Sequence, residues 1–371
     1  MKFICLQENL KEALVVCERT IGKNVTLPIL NNILIEDDDS RIKISSTDLE
    51  VGVNFWFSGK IVEKGSVTCP ARILANLIGN LPNQKIELEG KNNVLSVKSD
   101  SVQSSIQGIS AEDFPIIPKV KNRDFIEISS LVFKNALTQL INSVAISETR
   151  PEISGIFLKI GKEGLKLTAT DSFRLGEKTV SEKYFKSEGG KARDYAVIFP
   201  QKIAQELIRV TGEQEKPLKI FVDSNQILFD LDNVHLISRL IEGQYPDYQA
   251  IIPKKTATQA KMLKDEFLGA IKIAGIFSSK VNDVKVKVSP QKSVLEIESR
   301  SEFGSNRSQV SAKLSGSQLE AVFNFRFLLD GLNNIFSKEV IMEFNDENSP
   351  AVLRAADDSS YFYIVMPIRS S

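Results

Sequence analysis

From Gln7 onward, Leu10, Leu14, Val15 and Cys17 fall at helical spacing, while Lys11, Glu12, Glu18 and Arg19 occupy the opposite face. That pattern predicts an amphipathic helix over QENLKEALVVCERTIG. Two later segments have the same character, SSLVFKNALTQLINSVA from Ser129 and ATQAKMLKDEFLGAIKIAGIF from Ala257. A second set follows each of them at a distance: CPARILANLIGNL from Cys69, FPQKIAQELIRVT from Phe199 and FNFRFLLDGLNNIF from Phe323. Leu74, Leu77, Ile78 and Leu81 form the apolar stripe in the first of these, and Pro70 suits a first helical position because its missing N–H costs nothing there.

The stretches between helices alternate or run apolar, as strands do. NNILIED and RIKISST flank the acidic tip Asp37-Asp38-Asp39-Ser40 and read as a hairpin. VGVNFWFSGKIV, KGSVTCP, QKIELEG, NNVLSVKS and SVQSSIQGI complete the first series. SGIFLKIG, GLKLTATD, FRLGEKTVS, KPLKIFVD, QILFDLD and HLISRLIE repeat it, and DVKVKVS, SVLEIESRS, SQVSAKL, VIMEFN, AVLRAAD and YFYIVMPI repeat it again. A Thr-Asp pair closes a strand at Thr47-Asp48 and at Thr170-Asp171, and an aromatic-Pro pair, Phe114-Pro115 and Tyr245-Pro246, precedes the first two joins.

The period is about 125 residues, too long for a solenoid and close to the commonest domain size. Polar, charged joins at KVKNRD and PKKTATQ divide the chain into expected domains at 1–121, 125–252 and 256–371. The fold class is α+β, with two helices and about eight strands in each third.

Copies whose helices cover one sheet face leave edge strands unpaired, and open edges are a liability unless joined. Joining edge to edge gives one continuous sheet, and a head-to-tail contact between two chains closes the array when the rotations sum correctly. Over residues 8–23, 70–80, 131–146, 200–211, 260–275 and 324–336 the formal charges add to +4, leaving −4 for the rest of a chain whose total is zero. That sign suits a helical face around a polyanion, held by a local patch rather than by overall charge.

Composition narrows the chemistry. No apolar run approaches a membrane span, and the opening residues are too few for a signal-peptide core. Cys5, Cys17 and Cys69 form no C-x-x-C pair, which points to a reduced cytoplasm. His235, the only histidine, lies in an alternating strand with nothing marking a nucleophile beside it. Asp37, Asp38 and Asp39 read as a solvated hairpin tip rather than a metal site. Gly189-Gly190-Lys191 fails as a phosphate loop, with Phe185 where the leading Gly is needed and Ala192 in place of Ser or Thr. No cofactor, no metal and no catalysis are expected.

The chain resembles the bacterial DNA polymerase III beta subunit, the processivity sliding clamp. The likeness runs from Met1 to Arg369 and rests on MKF, TLPILNNILIE, STDLEVGV, CPAR, AEDFP, SGIFLKI, ATDSFRL, EGQYPDYQAIIP and YIVMPIR in that order. It implies three clamp domains per subunit and a head-to-tail homodimer closed around duplex DNA. It further implies tethering of the polymerase III alpha subunit, the clamp loader and other polymerases and repair proteins, each through a short linear peptide.

By the same resemblance the partner-peptide cleft falls on Ile153, Thr170, Ser172, Phe173, Arg174, Leu175, Pro246, Ala250, Ile251, Ile364, Met366, Pro367, Ile368 and Arg369. Ser172 and Phe173 stand where the family usually has Gly-His. The DNA-facing positions are Lys23, Asn24, Arg72, Arg150 and Lys202, with Asn24 replacing an expected Arg. The subunit contact is expected to join Ile106 to Gly275, Ile276 and Phe277, an apolar joint with few charges because Ser101, Gln103 and Ser104 carry none. A monomeric β-rich peptide adaptor without nucleic-acid contact is the alternative, and a hydrolase or transferase built on scattered carboxylates is a third reading that lacks a cluster to carry it.

Overall fold

The computed structural model describes residues 1–22, 27–161, 164–188 and 195–369. Among these residues there are six α-helices, each turning one apolar stripe inward. Helix α1 (Gln7–Cys17) buries Leu10, Ala13, Leu14 and Cys17, and α2 (Ala71–Gly79) buries Ala71, Leu74 and Ile78. Phe133, Ala136, Leu137 and Leu140 are buried on α3 (Ser130–Leu140), and Ile203, Ala204 and Leu207 on α4 (Gln201–Val210). Helix α5 (Lys264–Ile276) buries Phe267, Ala270, Ile271 and Ala274, and α6 (Phe325–Asn333) buries Leu328, Gly331 and Leu332.

Two details differ from the sequence reading. Residues 258–263 form a strand rather than the start of α5, because Thr258, Ala260 and Met262 face inward at a period of two. Pro70 ends a strand and caps α2 instead of opening it, with ψ at 115°. With these bounds the helices carry a net +2, so the charge separation between helices and sheets is half what the sequence suggested.

The chain falls into two compact units. The first comprises Met1–Lys134, Tyr184–Ala192 and Lys202–Leu240. It contains a five-stranded sheet in the order Gly59–Glu63, Lys2–Leu6, Lys85–Lys91, Val94–Lys98, Gln103–Gln107. It also contains a nine-stranded sheet: Phe185–Glu188, Phe125–Ser129, Pro217–Val222, Gln226–Asp230, Val234–Arg239, Val51–Phe57, Arg41–Thr47, Asn32–Asp38, Ser66–Pro70. Helix α1 packs on α2 and on strand Val51–Phe57.

The second unit comprises Asn135–Lys183, Arg193–Gln201 and Ile241–Ser371. Its twelve-stranded sheet runs Tyr195–Pro200, Gly155–Gly161, Gly164–Thr170, Arg174–Val180, Tyr361–Val365, Ala351–Ala355, Glu339–Phe344, Thr258–Leu263, Gly304–Gly316, Val294–Ser301, Asp283–Ser289, Leu319–Asn324. Helices α5 and α6 pack together. Gly275 permits their close approach, since a Cβ there would lie 2.7 Å from the Phe325 ring.

Each unit contains a joint between successive sequence repeats, and the two joints are built alike. In the first unit, Val51–Phe57 pairs antiparallel with Val234–Arg239, Val53 opposite Leu236. In the second, Arg174–Val180 pairs antiparallel with Tyr361–Val365, Leu175 opposite Ile364. The middle repeat therefore contributes strands to both units, because pairing across a joint is as regular as pairing within a repeat.

Candidate functional site

The Thr-Asp pairs organise the same turn twice. At residues 170–174, Thr170 Oγ1 donates to the Arg174 carbonyl at 2.7 Å and accepts from the Ser172 amide at 3.1 Å. Asp171 Oδ1 accepts from the Phe173 and Arg174 amides, both at 2.9 Å. At residues 47–51 the bonds recur: Thr47 Oγ1 to the Val51 carbonyl at 2.9 Å, Leu49 N–H to Thr47 Oγ1 at 3.0 Å, and the Glu50 and Val51 amides to Asp48 Oδ1 at 3.0 and 2.7 Å. Ser172 and Leu49 share φ of +77°, a left-handed conformation these side chains rarely adopt, and the hydrogen bonds hold it in place.

The copies diverge in what surrounds them. Gly52 stands in the first joint where Leu175 stands in the second, and a Cβ on Gly52 would lie 2.8 Å from Ile117 Cγ2. Ile117 thus fills that side of the first joint. In the second, Leu175 and Ile364 enter an apolar cluster with Ile198, Tyr245, Tyr248, Val352 and Phe362, against which Phe157, Ile241 and Ile252 pack. Phe157 stacks on Tyr245 with centroids 4.7 Å apart. The Tyr248 hydroxyl donates to Glu177 Oε2 at 2.6 Å, and burial together with that carboxylate pushes its phenol pKa up.

Above this cluster lies a more exposed rim. Phe173 is 62% exposed and stacks on Phe327 of α6 at 6.5 Å. The Arg174 guanidinium lies 4.4 Å from the Phe327 ring centroid, donates from Nε to Asp171 Oδ2 at 2.9 Å, and is hydrogen-bonded to Asp330. The chain end is fastened at two points: Met366 N–H donates to the Phe173 carbonyl at 2.8 Å and Ile368 N–H to the Val322 carbonyl at 2.7 Å. Met366 and Ile368 remain half-buried, with Arg369 exposed.

Family models for the DNA polymerase III beta subunit match the chain throughout: the N-terminal domain over residues 1–118, the central domain over 127–247 and the C-terminal domain over 249–369. The chain belongs to the DNA polymerase III beta subunit family. A beta sliding clamp from Synechococcus elongatus is 27% identical over 377 residues, spanning 100% of this chain and 99% of the relative. One from Staphylococcus aureus is 30% identical over 363 residues, 95% of each chain. The solved DNA polymerase sliding clamp of Bacillus subtilis superposes with a TM-score of 0.94 at 26% identity, covering 100% of both chains. A sliding clamp from Bartonella birtlesii bound to griselimycin superposes at 0.92 with 25% identity, again over 100% of both chains.

In this beta subunit the expected cleft residues divide by depth. Ile153, Thr170, Leu175, Ile364 and Pro367 are buried. Arg174, Pro246, Met366 and Ile368 are half-buried, and Ser172, Phe173, Ala250, Ile251 and Arg369 are exposed. Thr170, Ser172, Phe173, Arg174, Leu175, Ile364 and Met366 meet through the turn and the strand pairing. Pro246 joins them through the Tyr248 amide, which donates to its carbonyl at 2.8 Å. Sequence reasoning missed Phe327 and Asp330; the apolar-polar periodicity of FNFRFLLDG marks a helix, and nothing in it says which partner the helix meets.

Of the expected DNA-facing residues, Lys23 and Asn24 lie outside the described residues, as do Gly189, Gly190 and Lys191. Arg72 is exposed on α2. Lys202 is ion-paired with Asp48, and Arg150 donates from Nη1 to Ser172 Oγ at 3.0 Å and from Nε to Glu152 Oε1 at 3.3 Å. Two of these cations are therefore already engaged by the protein.

Among the expected subunit-contact residues, Ile276 is exposed and Gly275 and Phe277 are half-buried. Ile106 is only 5% exposed within the chain. Its strand lies beside Val94–Lys98 and alternates, with Ile106 facing inward; what the strand leaves free is its backbone edge.

His235, Asp37 and Asp38 have partners in the fold. His235 Nε2 lies 3.3 Å from Asp230 Oδ1, and its ring meets Trp56 edge-on at 4.4 Å. Asp38 accepts from Trp56 Nε1 and Asp37 from the Gly65 amide, each at 2.7 Å. Burial pushes the Cys5, Cys17 and Cys69 thiols up to about 12. Among the described residues no helix is long and apolar enough to cross a membrane. A 280 Å³ cavity in the first unit, lined by Val16, Phe55, Thr211, Leu231 and Val234 among others, includes none of the expected site residues.

Proposed function

We propose that this beta subunit acts as a sliding clamp in the bacterial cytoplasm, with domains at 1–121, 125–252 and 256–371, closing as a head-to-tail homodimer around duplex DNA. It tethers the replicative polymerase and other replication and repair proteins to DNA and so confers processivity. In this reading its role is to tether and not to catalyse, and the apolar rim of Phe173, Met366 and Ile368 suits peptide docking.

The observation that carries this reading is the repeated joint. Each unit pairs two repeats at its joint, while strand Gln103–Gln107, like the other sheet-edge strands, has a neighbour on one side only and residues 304–311 have no ladder partner on their outer edge. Those two edges are the ones a further joint of the same kind consumes, and only a second chain supplies it. Contacts to phosphate are sequence-blind, so the closed dimer slides rather than docks.

Partner peptides bind the rim formed by Phe173, Pro246, Met366 and Ile368 over the Leu175–Ile364 floor. Two or three apolar anchors at ~1.5–3 kcal/mol each give affinity of about micromolar order, which lets partners exchange. The test is retention: the clamp stays on closed circular DNA and runs off linear ends. Equal loss from both templates refutes topological linkage. Sedimentation excludes the adaptor alternative if the particle runs at twice 41.3 kDa.

A further inference from the structure

At each internal joint the turn does more than end a hairpin: it touches the opening residues of the next repeat's second helix. In the first unit Asp48 pairs with Lys202, the second residue of α4. In the second unit Phe173 stacks on Phe327, the third residue of α6. The residue after the last ladder pair locks the turn in both places, Arg239 N–H to the Glu50 carbonyl at 3.0 Å and Met366 N–H to the Phe173 carbonyl at 2.8 Å.

The third repeat carries the corresponding hairpin, Val294–Ser301 with Gly304–Gly316, and its tip is Glu302-Phe303. Phe303 is 84% exposed, a large apolar side chain with no cover in the chain. The first repeat carries the unmatched counterpart. Its last strand, Gln103–Gln107, is a sheet edge, and Ile73, the third residue of α2, is 55% exposed. Ile73 holds the helix position that Phe327 holds in α6.

We propose that Phe303 of one copy packs on Ile73 of a second copy, as an apolar latch that closes the subunit joint. The inference rests on the homodimer reading and names the residues that make it. The occupant of each surface is the other copy because the two features complete one joint: a free strand and its helix at one end of the repeat array, a free strand and its turn at the other. Phe277 supports the tip from behind, its ring 3.4 Å from where a Gly304 Cβ would stand.

The test is sedimentation velocity on the full chain and its variants over a concentration series. Phe303→Ala raises the dimer dissociation constant about thirtyfold, and Phe303→Glu at least about a hundredfold, because it buries an unpaired carboxylate. Combining Phe303→Glu with Ile73→Lys restores most of the loss by making the pair ionic, a rescue that a folding defect does not give. If Phe303→Glu leaves the dissociation constant within threefold of wild type, or Ile73→Lys fails to rescue it, the latch is wrong while the dimer stands. A wild-type chain that stays monomeric throughout overturns the dimer reading as well.

Discussion

Replacing Arg174 with alanine removes three interactions from a side chain only 13% exposed. They are the Nε bond to Asp171 at 2.9 Å, the ion pair with Asp330, and the stacking on Phe327 at 4.4 Å. Hydrogen bonds to charged groups contribute ~1.5–3 kcal/mol each, and a partly exposed cation–π contact ~0.5–1 kcal/mol. Asp330, a third exposed, recovers hydration, so the net local loss is about 2–3 kcal/mol. The structure also says where it is felt. The Arg174 amide is held by Asp171, and the Met366 amide by the Phe173 carbonyl, so both lie on the destabilised turn. Amide hydrogen exchange at these two positions should accelerate about thirtyfold or more, at 1.4 kcal/mol per decade. Partner-peptide affinity, measured by fluorescence anisotropy, should fall with it, because Phe173 and Phe327 lose the group that packs against their stack. Arg174→Lys keeps the charge without the planar fork that reaches both aspartates, and should lie between. Exchange within threefold of wild type, with unchanged peptide binding, would refute the view that Arg174 holds the rim together.

Ending the chain after Val365 removes Met366, Ile368 and the two backbone bonds that fasten them; anisotropy should show peptide binding at least about a hundredfold weaker, with the sedimentation of the dimer unchanged. The three thiols should resist a disulfide-exchange reagent at pH 8 in the native protein and react fully after denaturation, because burial keeps them protonated. Asp230 is pulled upward by burial but held below the usual carboxylate range by His235 and the Asp232 amide. A depressed carboxylate contributes stability above its unfolded pKa and loses it as pH falls through the folded value. His235→Ala should therefore move the acid-unfolding midpoint, followed by circular dichroism, to higher pH. A Lys202→Ala and Asp48→Ala double-mutant cycle should give a coupling of about 0.5–1 kcal/mol that shrinks with salt.

The sequence by itself determined the repeat, the α+β class and most helix positions, because an apolar stripe at i, i+3 and i+4 has one inexpensive solution. It also determined the two turns, since Thr and Asp close them through bonds to amides two and three residues away. It misread residues 258–263, where the helix-forming residues Ala260, Lys261 and Met262 pair on both sides with other strands, and sheet neighbours outweighed propensity. It named Ile106 on the last strand of the first repeat but not the face it takes, because strand phase is invisible until the sheet is assembled. What only the tertiary structure decided was pairing between distant residues. Phe173 meets Phe327 and Lys202 meets Asp48 across more than a hundred residues each, and no local pattern specifies either contact. Local periodicity records which way a side chain faces; which group waits there depends on how sheets join, and that is a property of the folded chain.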